Sequence, residues 1–93
     1  MKQEIKNEEQ EDSKIAYHIK EMEEKNKEGE KLYQEKQYQE AEKLYLEVIK
    51  GRENLLGPCH KETLQTKYNY AITLKALNRY KEAEKVFLEV IEG

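Results

Sequence analysis

Residues 38–51 read YQEAEKLYLEVIKG, and residues 80–93 read YKEAEKVFLEVIEG, a near-copy displaced by 42 positions. Ten of the fourteen aligned positions are identical, from Tyr38/Tyr80 to Gly51/Gly93. A chain of 93 residues has room for two such units and little more. A helix pair with a single apolar face cannot bury that face alone, whereas a second self-similar pair stacked on it can. The duplication therefore restricts the fold to stacked copies of one small unit.

Composition pulls the other way. Charged residues make up 40% of the chain and hydrophobic ones 37%, a balance that leans toward disorder. Periodicity overturns that prior. Ile15, Ile19, Met22, Gly29, Leu32 and Tyr33 keep a spacing of three or four and predict a first helix over about 14–36, with Asp12-Ser13 as its N-cap. The stripe weakens over Glu23–Glu28, where a fray or bend is expected. Ala41, Leu44, Tyr45, Val48 and Ile49 predict a second helix over about 38–55, in which Gly51 is an unfavourable residue. Leu56-Gly57-Pro58-Cys59-His60 is a loop, because glycine followed by proline stops a helix. Leu64, Tyr68, Ala71, Ile72 and Leu74 predict a third helix over about 61–77. The fourth, over about 80–91, repeats the second. No segment reads as a strand. The fold class is all-α: two stacked antiparallel helix-turn-helix units, over about 13–57 and 58–93.

The formal charge of −3 is concentrated at one end. Lys2 and Lys6 stand against Glu4, Glu8, Glu9, Glu11 and Asp12, so residues 1–12 read as an acidic, mobile tail. From Ser13 onward the charges balance. The chain thus lacks the basic patch that a nucleic-acid partner requires. No apolar run reaches the length of a membrane span or a signal-peptide core. The single cysteine, Cys59, excludes an internal disulfide and fits a reducing, cytoplasmic setting.

Catalytic chemistry finds little to work with. His18 sits on a charged helix and reads as solvent-exposed. Cys59-His60 lacks partners at zinc-ligand spacing, so His60 reads as a residue that orders the loop or the start of the third helix. The carboxylates alternate with lysines as a solvated face, and no glycine-rich phosphate loop is present. The expectation is a non-enzyme without metal or cofactor.

The unit has a recognisable scheme. Lys25-x2-Glu28-Gly29-x2-Leu32 with Ala41-x3-Tyr45, and Lys67-x2-Tyr70-Ala71-x2-Leu74 with Ala83-x3-Phe87, keep the spacing of the tetratricopeptide pattern. The period is about eight residues longer than the common one of about 34. The 42-residue form resembles the repeats of kinesin light chains and related scaffolds. The residues that carry this resemblance are Leu56, Gly57, His60, Thr63, Leu64, Asn69, Ala71, Arg79, Tyr80, Glu82, Ala83 and Glu84. The chain departs from that pattern at Lys61 (usually proline), Tyr70 (leucine) and Asn78 (glycine).

The resemblance implies a protein–protein interaction module that takes a peptide segment on a concave face lined by the first helix of each unit. By position that face carries Glu23, Asn26, Glu30 and Tyr33, then Gln65, Tyr68, Asn69, Ile72 and Lys75. The narrower peptide-binding set is Asn26, Glu30, Tyr33, Tyr68, Asn69, Ile72 and Lys75, although Tyr68 and Ile72 also suit packing between units. Glu30 argues against a clamp for a peptide C-terminal carboxylate. Repeat arrays usually finish with a polar capping helix, and none follows Gly93. The alternative reading is therefore a unit of a longer array, or a homodimer, that uses Val86, Val90 and Ile91 of the fourth helix as its contact. A coiled coil through residues 13–36 would place Gly29 and Asn26 at seam positions, which disfavours it.

Overall fold

A computed structural model describes the backbone of residues 2–93 and the side chains of residues 13–93. Four helices follow one another: α1 (Lys2–Gln34), α2 (Tyr38–Leu56), α3 (Lys61–Ala76) and α4 (Tyr80–Glu92). There is no strand among the described residues. Helix α1 packs on α2, α2 on α3 and α3 on α4, while α1 touches α3 along one edge. Each helix thus rests mainly on its sequence neighbour, as in a quasi-one-dimensional stack. The units are α1–α2 and α3–α4.

The first helix begins at Lys2, and Ser13 lies inside it instead of capping it. No break occurs over Glu23–Glu28. The expected acidic tail at residues 1–12 concerns side chains that lie outside the described residues; the backbone there is helical from Lys2. A coiled-coil seam on α1 is ruled out by packing, because Met22 and Asn26 are buried within the chain itself.

The two hairpin turns are copies of each other. At the end of α1, Lys36 adopts φ 63°, its N–H donates to the Tyr33 carbonyl, and the Gln37 N–H donates to that of Leu32. At the end of α3, Asn78 adopts φ 64°, with the same bonds to Lys75 and from Arg79 to Leu74. This double closure is the Schellman cap, whose left-handed residue is usually glycine. Asparagine tolerates that conformation, which accounts for Asn78 where related repeats carry glycine.

Between the units, Gly57 at φ 100° ends α2, and a Cβ there would meet nothing, so conformation and not space requires the glycine. His60 caps α3: its Nδ1 accepts from the Glu62 N–H at 3.1 Å. The Thr63 hydroxyl donates back to the Gly57 carbonyl at 2.9 Å. The loop-ordering role read for His60 is thus a helix cap.

Small residues set the helix spacing. Ala41 and Ala71 are fully buried, Ala83 nearly so, and Gly29 is buried. A Cβ on Gly29 would lie 2.7 Å from Cε1 of the enclosed Tyr45 ring. The Tyr45 ring therefore packs down on Gly29 of its own hairpin while also reaching α3. Gly51 is approached as closely, but there a Cβ would meet Sδ at the flexible end of Met22. The copy is faithful, since a Cβ on Gly93 would meet Leu64 Cδ2 at 2.8 Å, and Leu64 stands 42 residues after Met22. The inter-helix ion pair is copied too. Lys25 bonds Glu47 at 2.6 Å in the first unit, and Lys67 pairs with Glu89 at 3.7 Å in the second, while also reaching Glu53 at 3.2 Å.

These contacts predict different outcomes for two chemically identical changes. Gly29→Ala forces a rigid buried ring to move, and overpacking outweighs the helix-propensity gain, for a net loss of about 1–2 kcal/mol. In Gly51→Ala the flexible Met22 thioether can swing aside, leaving stability within about 1 kcal/mol of the parent. Urea unfolding of the two variants measures the difference, and equal destabilisation would contradict the assigned contacts.

Candidate functional site

The repeat geometry sets α1 and α3 side by side as the same helix of successive units. One turn near the end of α1 presents Glu30, Tyr33 and Gln34, and one turn of α3 presents Asn69 and Ile72. Together with Tyr45 from α2 they line an open cavity of about 250 Å³. Four of the residues expected at a concave peptide surface, Glu30, Tyr33, Asn69 and Ile72, are thus brought together. Tyr33 is positioned at the rim by edge-on contact with Tyr38 across the turn, centroids 5.2 Å apart.

Three others of that set stand elsewhere. Asn26 is only 8% exposed, because α3 covers it: the Thr66 hydroxyl lies 3.5 Å from its Oδ1, and its Nδ2 donates to Glu30 at 3.2 Å. It is part of the packing between units and not a free peptide contact. Tyr68 is half exposed and meets the Phe87 ring edge-on at 5.7 Å, outside the cavity. Lys75 is exposed and does not line the cavity. On α4, Val86 and Val90 are half-buried and Ile91 is exposed.

Tyr45 and Gln34 line the cavity without having been expected there. Tyr45 is 2% exposed and, among the described residues, its hydroxyl has no hydrogen-bond partner. No fully enclosed side-chain polar atom is left unpaired among the described residues, so the hydroxyl keeps some exposure, on a residue that lines the cavity. Burial, then the nearby Glu30 carboxylate and Tyr33, push its pKa up to about 12.

A buried polar network beneath the site was also absent from the sequence reading. Arg52, 6% exposed, donates to Thr66 Oγ1 at 2.7 Å and to the Glu62 carbonyl at 3.1 Å. Thr63, Thr66 and Thr73 of α3 are fully buried, each with its hydroxyl bonded to a backbone carbonyl. Their counterparts 42 residues earlier are Glu21, Glu24 and Lys31. That change from charge to hydroxyl was the signal available in the sequence: the first unit turns this face to water and the second turns it onto α2. On the turn side, Arg79 ties the second unit to the first through Glu42 and holds Glu82 at 2.7 Å.

The tetratricopeptide repeat family matches the chain over residues 25–93, and the chain belongs to that family. Such repeats mediate protein–protein interaction, and the family is in general a non-catalytic one. Comparisons with curated proteins and with solved structures gave no match. Among the described residues no helix is long and apolar enough to cross a membrane.

The Tyr45 environment fixes a pH dependence. Folding keeps the phenol neutral, so this contribution is complete below the unfolded value of 10.0 and is lost as pH rises from there through about 12. Tyr45→Phe keeps the ring on Gly29 and removes the titrating group. The variant should lose less stability than the parent across that interval, as read by helical circular dichroism under urea. Parallel curves for the two proteins would refute the assignment.

Proposed function

We propose that the chain is a tetratricopeptide interaction module that binds an extended peptide segment of another protein in the cavity between α1 and α3. The observation that carries this reading is the convergence of Tyr33, Ile72 and Tyr45 with Asn69 and Gln34 around one opening. Aromatic rings supply contact area at little entropic expense, and side-chain amides can bond a peptide backbone. At about 250 Å³ the space falls below the usual range for whole small-molecule sites, roughly 300–1,000 Å³, and suits one or two peptide side chains. A cytoplasmic setting fits the exposed free thiol of Cys59, and the charge balance of the body favours a protein partner over nucleic acid or membrane. Peptides selected from a random display library on the parent chain should bind the Tyr33→Ala/Ile72→Ala variant about tenfold or more weakly. Circular dichroism checks that this variant remains folded. Undiminished binding would move the ligand away from this face.

A second reading rests on three pairs of equivalent positions. Asn26, Tyr45 and Ile49 are 8%, 2% and 8% exposed in the first unit, where α3 lies across that side. Their counterparts are Tyr68 at 49% exposed, Phe87 half-buried and Ile91 at 79% exposed. The second unit thus presents, uncovered, the face that the first unit buries. Such a face suits a further unit of the same kind or a second copy. Head-to-tail stacking of copies would bring it against Glu21, Glu24 and Glu28 of the first unit, whose charges disfavour burial. A face-to-face dimer through α4 is the favoured self-contact. Light scattering across a concentration series should then show mass rising toward the dimer, and Ile91→Asp should return it to the monomer. A concentration-independent monomer removes self-pairing.

A further inference from the structure

We infer that the cavity between α1 and α3 is built for a cationic side chain, the lysine or arginine of a bound peptide. This rests on the concave-face reading and specifies what that face selects.

Three features point the same way. The first is the Tyr45 hydroxyl, without a protein partner among the described residues, not fully enclosed, and carried by a residue that lines the cavity. An accessible hydroxyl without a protein partner is completed by water or by a ligand. The second is Glu30, the one charged residue in the lining. Glu21 and Glu23 of the same helix pair with lysines, whereas among the described residues Glu30 has no cationic partner and accepts only from the Asn26 amide. The third is the rest of the wall. Asn69 and Gln34 offer side-chain carbonyls as acceptors, and Tyr33 offers an aromatic ring, which attracts cations.

The occupant follows by complementarity. A lysine or arginine has an apolar stem to lie along Ile72 and Tyr33 and a tip that only donates hydrogen bonds. Around it the site supplies a carboxylate, hydroxyl oxygens and amide carbonyls. A carboxylate ligand would face Glu30 with no cation in the lining to offset the repulsion. A neutral aliphatic side chain would leave the Tyr45 hydroxyl unpaired. Lys75, the nearest exposed cation on α3, is one turn beyond Asn69 and Ile72 and is not part of the wall.

The test uses the full chain and peptides selected on it from a random display library. Lysine or arginine should be enriched at one peptide position. Replacing that residue with norleucine in the synthetic peptide should weaken binding about tenfold, since a hydrogen bond to a charged group is worth that much. Glu30→Gln should cause the same loss with an unchanged unfolding midpoint and should leave the norleucine peptide unaffected. Tyr45→Phe should weaken the lysine peptide by a few-fold only. Selection of acidic or purely apolar peptides, or equal binding of the lysine and norleucine forms, overturns the cationic assignment. The concave-face reading survives that result if Tyr33→Ala/Ile72→Ala still loses the peptides. Peptides that bind this variant and the parent alike overturn both readings, as does selection of none.

Discussion

The contact between the Tyr45 ring and Gly29 is the constraint on which the rest of the molecule depends. The Tyr45 ring lies so close to α1 that a Cβ on the residue opposite would sit 2.7 Å from it, and α1 has Gly29 at that turn. The close approach fixes the distance between α1 and α2, and hence the position at which α3 can settle against α2. It also brings Tyr45 into the wall of the cavity between α1 and α3. One packing event thus sets the hairpin, the stacking and the chemistry of the candidate site.

Stacking of the units is held differently from the hairpins. Within each hairpin the contacts are apolar, with small residues at the crossing and a copied lysine–glutamate pair at the edge. Between the units, buried polar groups, Arg52, Asn26 and Thr66 of α3, join the apolar Tyr45 and Ile49. Removing one partner of such a network leaves buried donors unsatisfied, so it specifies register more than it adds stability. In a repeat protein that distinction matters, because near-identical hairpins could otherwise slide or pair with the wrong neighbour.

The repeat, the helix order, the two hairpins and the loop at Gly57–His60 were legible in the sequence. Each rests on local rules: helical periodicity, glycine followed by proline, and small residues at fixed spacing. Four cavity residues were legible as well, because repeat position alone assigns a residue to the first helix and to one side of it. Helix boundaries were less so. Order beginning near Ser13 was expected because the apolar stripe begins there, yet α1 starts at Lys2, since a helix can extend beyond the stripe that anchors it. Asn26 and Tyr68 occupy the same repeat position, so the sequence alone assigns them to the same surface. The structure separates them, one buried under α3 and the other half exposed beside Phe87.

What the sequence by itself determined is the unit: which residues form each helix, which face of each is apolar, and where glycine or alanine permits close crossing. What only the tertiary structure decided is the fate of equivalent residues. Ile49 and Ile91 belong to the same motif, and one is enclosed while the other is open to solvent. Local chemistry cannot distinguish them, because burial at these positions comes from a helix more than ten residues away in the chain. The enclosure of the Tyr45 side chain has the same origin. It is set by two helices converging on one ring, a relation that no single stretch of sequence contains.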